Sequence, residues 1–299
     1  MRVWLAPNAY ERRYRRFLAK TVAQVRREFL ARLGNVIRLQ KANPKFFEDY
    51  DNPEDPDGMA VAKQSDEVAF LIAGLVGWWA AQLPTVRGTM RGYFQQINIY
   101  NDNEFRQVVK SATGITLPRS TTLPYAPSLV SPTSEIINRF GQEADVFRQE
   151  PYLDGIEKNW LATQETYIDR TAREFISNSE LAVRNALATS VAASFVNAAI
   201  NKGSDLTEVR VRKFGEDQVN RLNAQLTRLR SESIGAKSYI WETRRDERVR
   251  GNPTGLYPNA KPSHFHRQGE IFLWAKPPEG GHPAEASGCR CRAIIRLTR

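Results

Sequence analysis

Apolar residues follow helical spacing through most of the chain up to Gly235, and this periodicity constrains the fold more than any other feature. The clearest stretch runs from Tyr10 to Leu39, where apolar side chains recur every three or four residues and arginines fill many positions between them. A helix with one apolar face must bury that face against another element. The sequence therefore predicts that the chain up to Gly235 consists largely of packed helices.

Four further helical regions are predicted after the first, and the last of them, Glu216–Arg230, carries a narrow apolar seam of Val219, Leu222, Leu226 and Leu229. One covers Val61–Leu83, and Pro84 is expected to end it because proline cannot donate the N–H that continues a helix. The next covers 86–112. A longer region covers 134–200, and Gly203 is a predicted helix stop because glycine is common just after a helix.

Beyond Gly235 the composition changes. The segments KSYIWET and GEIFLWA are typical of β-strands, and Pro, Gly and Asn are frequent between them. We therefore predict mainly α N-terminal and central regions followed by a small α+β C-terminal module. A bound metal ion is one way in which so small a module could be stabilised. The predicted ranges are a basic helical region at 1–114, a Pro-rich extended linker at 115–133, a central helical region at 134–235 and the β-containing module at 236–299.

The positive charge is concentrated at the start of the chain. Residues 1–45 hold twelve of the 43 Lys and Arg residues and two acids, whereas the remaining residues carry equal numbers of both signs. Such an arm suits the phosphates of nucleic acid, an acidic protein surface or anionic lipid, and a solvated helix face is the alternative. The arginines predicted to contact DNA or an acidic partner are Arg12, Arg13, Arg15, Arg16, Arg26 and Arg27.

The longest mostly apolar run, Phe70–Leu83, is shorter than the roughly 20 residues that span a bilayer. We expect a buried core helix there, with a segment at a membrane interface as the alternative, and no stable membrane insertion. The start of the chain has no apolar core of a secretory signal, so synthesis in the cytoplasm is expected.

Every histidine and cysteine of the chain lies in one window, SHFHRQGEIFLWAKPPEGGHPAEASGCRCR, which runs from Ser263 to Arg292. Thiolate and imidazole are the usual ligands of structural zinc, which takes four of them in a tetrahedron. Cys289 and Cys291 with two of the three histidines would complete such a site. A hydrogen-bonded set of histidines and free thiols is the alternative, and a catalytic metal is the third interpretation.

The sequence lacks HExxH, GxSxG, Walker A and GxGxxG motifs, so we expect that the protein is not an enzyme. The segment WETRRDERVR, which precedes the His and Cys window, is typical of an Arg–carboxylate network that orders a loop. Contact of these arginines with nucleic acid is the alternative.

Several of these elements, taken in order, resemble one family. The signature of the phage Mu F-like proteins is similar to DQVNRLNAQLTRLRSESIGAKSYIWETRRDERVR, then HFHRQGEIF, then HPAEASGCRCRAI, within about residues 213–296. These are the head morphogenesis (minor head, or minor capsid) proteins of tailed bacteriophages. The matching positions are Asp217, Gln218, Asn223, Leu226, Trp241, Thr243, Asp246, Arg248, Val249, Arg250, His264, Gly269, Phe272, Cys289 and Cys291. The chain departs from the family pattern by the segment GNPTGLYPNAKPS before the histidine and by Glu216, where the family commonly has a basic residue.

The resemblance implies a structural virion protein in the head interior near the portal vertex, made in the bacterial host cytoplasm and present in several copies. Its implied partners are the portal protein, capsid or other head proteins, and packaged double-stranded DNA. It implies a role in head morphogenesis, with DNA packaging or ejection in some members, and no known catalysis. Residues of the implied structural motif are Trp241, Thr243, Asp246, Arg248, Arg250 and Gly269.

The family spacing between histidine and glycine also ranks the candidate metal ligands. His264 has the family's distance to Gly269, so the expected set is Cys289, Cys291 and His264, with His282 next and His266 as a bystander. Two alternatives to the virion role stay open. One is a nonspecific DNA-binding ejection factor, and the other is a metal-dependent nuclease or hydrolase that uses the three histidines.

Overall fold

The computed structural model describes residues 7–42, 56–121, 148–188 and 193–296. The helices in these ranges are α1 Asn8–Ala42, α2 Pro56–Thr113, α3 Leu153–Ala188 and α4 Ala193–Ser233. Strands β1 Ser120–Thr121 and β2 Arg148–Gln149 form a parallel pair. Strands β3 Ser238–Glu242, β4 Ile271–Leu273 and β5 Arg292–Arg296 form an antiparallel sheet in the order β4-β3-β5. A short 3-10 helix, Phe265–Arg267, precedes β4. The predicted fold class, mainly α with a small β-containing C-terminal module, is confirmed.

Contacts divide the chain into two compact units, each assembled from separate stretches. The sheet-containing unit comprises residues 1–14, 91–160 and 213–299, and the helical unit comprises 15–90 and 161–212. The four ranges predicted from composition stay a prediction. Residues 122–147, which include most of the predicted linker and the start of the predicted central region, lie outside the described residues.

The first predicted helix is confirmed as α1. Its apolar side chains form one buried stripe at helical spacing, whose members are Tyr14, Leu18, Val22, Val25, Phe29 and Leu33. Because the arginines occupy the positions between these residues, burying the stripe leaves most of them toward solvent.

The prediction that Pro84 ends a helix is wrong, since α2 continues through it to Thr113. Proline in a helix interior costs about 3 kcal/mol because it removes one hydrogen bond. Burial of apolar side chains on both sides, such as Trp79 and Met90, contributes about 1.5–3 kcal/mol for each and outweighs that cost. On one side, Trp79 Nε1 donates to Asp169 Oδ1 at 2.9 Å, and on the other, Arg87 pairs with Glu165 at 3.3 Å. Pro84 itself is exposed, so water can reach the carbonyl that loses its partner.

Gly203 does not end a helix either, because α4 runs from Ala193 to Ser233. A glycine inside a helix costs about 1 kcal/mol, which is less than burial of one apolar side chain contributes. The buried stripe of α4 continues past the glycine without interruption, through Ile200, Ser204, Thr207 and Val211.

The apolar segment of α2 is buried on one side only, which corrects the expectation of a core helix. Val68, Leu71, Leu75 and Trp79 are at most 6% exposed, whereas Phe70 is 84% exposed. The stretch Asp66–Thr113 is long and apolar enough by length and composition to cross a membrane, and 22% of its most apolar window is buried. The expected absence of stable membrane insertion stays a prediction.

The C-terminal sheet forms where the chain leaves α4. Gly235 takes a positive φ of 78°, and Ala236 N–H donates to the Ser231 carbonyl, which ends the helix. Both predicted strands form, and Tyr239 on the central strand pairs with Phe272 and Ile295. One face of the sheet thereby joins a core with Trp241, Trp274 and both cysteines. The third strand, Arg292–Arg296, was not anticipated from the sequence.

Candidate metal centre

Three side chains from the His and Cys window meet in the buried core of the sheet-containing unit. The ligand atoms of His264, Cys289 and Cys291 all lie within 4.8 Å of one another. His264 Nδ1 is 3.4 Å from Cys289 Sγ and 3.7 Å from Cys291 Sγ. The three residues are 2%, 4% and 6% exposed. This group can hold a metal ion.

Local backbone geometry brings the three residues together. The histidine immediately precedes the 3-10 helix, and its N–H donates to the Arg250 carbonyl at 2.9 Å. The cysteines flank Arg290 where the chain enters β5, so both sulfurs of the Cys-x-Cys pair face the same side. The Trp241 ring packs edge-on against His264, with 5.2 Å between centroids. Arg267 covers the same tryptophan at 4.9 Å.

Backbone polarity beside Cys289 favours the charged form of its sulfur. Ala284 N–H donates to Cys289 Sγ at 3.3 Å, and Ala284 holds a positive φ of 69°, which is uncommon for a residue with a side chain. Hydrogen bonds to a thiolate stabilise it. The strained conformation of Ala284 therefore aims a donor at the sulfur.

The two thiols do not titrate alike. The hydrogen bond from Cys291 lowers the pKa of Cys289 to about 4, against a burial effect in the other direction, and His264 lowers it further. The same interaction with Cys289, together with burial, raises the pKa of Cys291 well above its usual range. The adjacent buried sulfurs therefore resist ionising together, and a metal ion is the partner that would let both of them ionise.

His282, the predicted fourth ligand, does not belong to this group. Its Nδ1 lies 2.9 Å from the Tyr239 hydroxyl, and its ring contacts Trp274 at 5.4 Å. Burial raises the pKa of Tyr239 and lowers the pKa of His282. Burial thus favours the neutral form of both groups, and the hydroxyl and Nδ1 share a hydrogen bond. The Nδ1 atom of His282 is therefore already hydrogen-bonded within the core.

His266 lies outside the group as well, as expected for a bystander. It is exposed, and its Nδ1 lies 2.8 Å from Ser263 Oγ. Of the three histidines in the window, the structure thus brings only His264 to the cysteines.

The residues of the family-like motif link the metal group to its surroundings. Thr243 N–H and Oγ1 both donate to Gln268 Oε1, beside Gly269, whose φ is 82°. Gly269 N–H in turn donates to the Trp241 carbonyl at 2.8 Å. These bonds hold the turn after the 3-10 helix against the end of β3.

Charged residues of the motif hold the cysteine loop. Asp246 pairs with Arg290 at 2.6 Å, and Arg250 donates to the Ser287 carbonyl at 2.7 Å. On α4, Asp217 Oδ1 accepts the N–H of Gly288 at 2.7 Å. Glu216 of the same helix lies 3.7 Å from Arg248 and 3.8 Å from Arg290. The predicted Arg–carboxylate network is therefore present, and it fixes the loop that precedes Cys289.

The predicted basic contact residues lie along one helix, α1. Arg12, Arg13, Arg16 and Arg27 are exposed, whereas Arg15 and Arg26 are partly buried. The exposed four are available to a polyanion.

Sequence reasoning missed a buried polar network in the sheet-containing unit. Arg230 on α4 is fully buried and pairs with Glu150 through two nitrogens, at 2.8 and 2.7 Å. The guanidinium also donates to Asn98 and Asn101 on α2. One signal was available, because Arg230 lies four residues after Leu226 and so continues the apolar seam of α4. A charge on such a seam indicates a buried partner.

Comparison with known proteins leaves the family unassigned. No family model matches the chain, and no solved structure matches it. An uncharacterized protein of Haemophilus influenzae is 39% identical over 89 residues, which is 29% of this chain. The match covers 17% of that protein, so the similarity concerns a segment of each.

Proposed function

We propose that the chain is a minor head protein of a tailed bacteriophage, which associates with the portal protein and the inner capsid and acts in head morphogenesis. One observation carries the proposal. Residues that resemble the phage Mu F-like signature, spread from Asp217 to Cys291, contact one another around a single buried group. A set of separate chance matches would not be expected to converge in this way.

We further propose that the buried group is a structural zinc site. Zinc–sulfur bonds of about 2.3 Å and zinc–nitrogen bonds of about 2.0–2.1 Å in a tetrahedron separate sulfur from nitrogen by about 3.6 Å. The two nitrogen–sulfur distances of 3.4 and 3.7 Å bracket that value. The described residues supply three of the four ligands that a structural zinc takes, and a set of three is also found at catalytic zinc. A catalytic zinc, however, needs a position that substrate can reach, whereas these three ligands are buried. Burial therefore favours a structural ion over the nuclease or hydrolase alternative.

Mass spectrometry of purified particles tests the virion role. In particles of the phage that encodes this chain, we expect the protein in full heads at low copy number relative to the major capsid protein. Comparison with particles emptied of DNA shows whether the protein leaves with the genome. Absence from full and emptied particles alike would refute the proposal.

A DNA-binding role is the second candidate, because four arginines of α1 are exposed. We expect the intact protein to bind double-stranded DNA without sequence preference. Replacing Arg12, Arg13, Arg16 and Arg27 by Gln should lower the affinity, because fewer phosphates are neutralised and fewer counterions are released. The slope of log K against log salt should become less steep by about 0.9 for each lost phosphate contact. Filter binding at several salt concentrations measures both quantities.

A matched control removes four exposed cations elsewhere, at Lys158, Arg170, Lys202 and Lys237. This variant should bind DNA nearly as the unaltered protein does. Equal affinity and salt slope for the two quadruple variants would exclude α1 as the DNA-binding element. If the arm meets an acidic protein surface instead, its variant would lose portal or capsid association and keep its DNA affinity.

A further inference from the structure

The apolar segment of α2 leaves a long face in solvent. No Asp, Glu, Lys or Arg occurs from Val68 to Val86, a stretch of about 28 Å at 1.5 Å per residue. On the exposed side lie Ala69, Phe70, Ala73, Gly77, Ala81 and Pro84, here called the α2 face. Exposed helix faces normally carry charges, and a large apolar surface in solvent marks an interaction site.

The residues beside the α2 face argue against lipid as its partner. Arg32 of α1, which pairs with Glu28 at 2.9 Å, lies beside Gly74. At the C-terminal end of the face, Arg87 pairs with Glu165 of α3 at 3.3 Å. Insertion of the face into hydrocarbon would bury these ion pairs, which is costly. A protein surface can cover the face and leave the pairs at its rim.

The two ends of the α2 face carry opposite charges. Asp66 and Glu67 precede it, and Arg87 follows it with about half of its side chain exposed. A helix that matches this pattern must be apolar in the middle, basic at one end and acidic at the other. The same segment of a second copy, run antiparallel, has this arrangement.

We propose that the α2 face binds the α2 face of a second copy of the chain, antiparallel and about a two-fold axis close to Gly77. In this arrangement Asp66 of each copy lies near Arg87 of the other. Phe70 packs against Pro84 of the second copy. The small residues along the centre let the two helices approach closely, since a Cβ added at Gly77 meets no atom within 4 Å of the protein's own chain. The interface is isologous, as in most homodimers.

Cysteine crosslinking in the full-length protein tests the geometry. Gly77→Cys sits on the proposed axis, so mild oxidation with copper phenanthroline should give a disulfide-linked dimer. Ala73→Cys or Ala81→Cys alone should crosslink less, and a mixture of the two should crosslink efficiently. The native Cys289 and Cys291 are buried, so the unaltered protein serves as the control for background oxidation. A Gly77→Cys protein that stays monomeric under oxidation would overturn the proposal.

Sedimentation velocity tests the interface without any new cysteine. We expect a reversible dimer with a dissociation constant in the micromolar range, as is usual for a small interface. Phe70→Glu should raise that constant at least tenfold, because it places a charge in the apolar contact. Leu206→Glu is the matched control, since Leu206 is 60% exposed in the same unit and outside the α2 face.

Two results would refute the proposal. One is equal weakening of the dimer by both glutamate substitutions. The other is a monomer at every concentration that floats with phosphatidylcholine vesicles, which would assign the α2 face to lipid.

Discussion

Removal of one thiol from the buried group is expected to abolish zinc binding and unfold the C-terminal module. Cys289→Ser should purify without stoichiometric zinc, whereas the unaltered protein should contain it. Structural zinc supplies roughly 10 kcal/mol or more in zinc-finger peptides, far more than the module's small core can replace. Elemental analysis measures the metal, and hydrogen exchange of residues 236–296 measures the loss of structure.

The histidines provide matched controls for this prediction. His264→Ala should behave like the cysteine variant, and His266→Ala should keep both zinc and stability. His282→Ala should keep its zinc and lose about 1–3 kcal/mol of stability, because the buried hydroxyl of Tyr239 is left without its hydrogen-bond partner. Equal loss of zinc from the His264 and His282 variants would make both of them ligands. If the unaltered protein is metal-free and insensitive to chelators, the metal proposal is refuted while the virion role is left intact.

Replacement of Arg230 by Met should destabilise the sheet-containing unit by about 3–5 kcal/mol, because it leaves the Glu150 carboxylate buried without its partner. Burial acts to lower the pKa of Arg230, but the hydrogen bonds and charge of Glu150 raise it above its ordinary value. The pair is therefore ionised, and loss of either side leaves a buried charge. The midpoint of urea unfolding, followed by tryptophan fluorescence, measures the effect.

Arg228 offers a control, because it lies on the same helix as Arg230 and makes none of these contacts. It is partly exposed and pairs with Glu232 at 3.1 Å. Arg228→Met should change stability by under about 1 kcal/mol. The double variant Glu150→Met with Arg230→Met should recover part of the loss, because no uncompensated charge remains. Equal destabilisation by the Arg228 and Arg230 variants would show that the buried pair contributes no more than a surface pair.

Helix positions could be predicted from the sequence, but helix ends could not. Apolar periodicity located α1 because burial of its stripe decides whether the helix forms. The stops predicted at Pro84 and Gly203 failed because they rest on local preferences of about 1–3 kcal/mol. Burial of side chains such as Trp79 against residues far away in the sequence outweighs those preferences.

The sequence predicted which residue types form the candidate metal site, but only partly which of those residues lie together. The window supplied both cysteines of the buried group, and the family-like spacing to Gly269 pointed to its histidine, His264. The same reasoning kept His282 as a ligand, since a loop of unknown path can bring either histidine to a thiol. The structure separates them through Tyr239, which lies on β3 and engages the Nδ1 of His282.

By itself the sequence determined the helical class, the basic face of α1 and the set of side chains from which a metal site could be drawn. These follow from periodicity, charge and residue chemistry, which are properties of neighbouring positions. Tertiary structure alone decided which histidine joins the thiols, where Arg230 finds its carboxylate and which side of α2 stays in solvent. Each of these depends on contacts between residues distant in the chain, and the free energy of such contacts cannot be calculated from the residues at neighbouring positions.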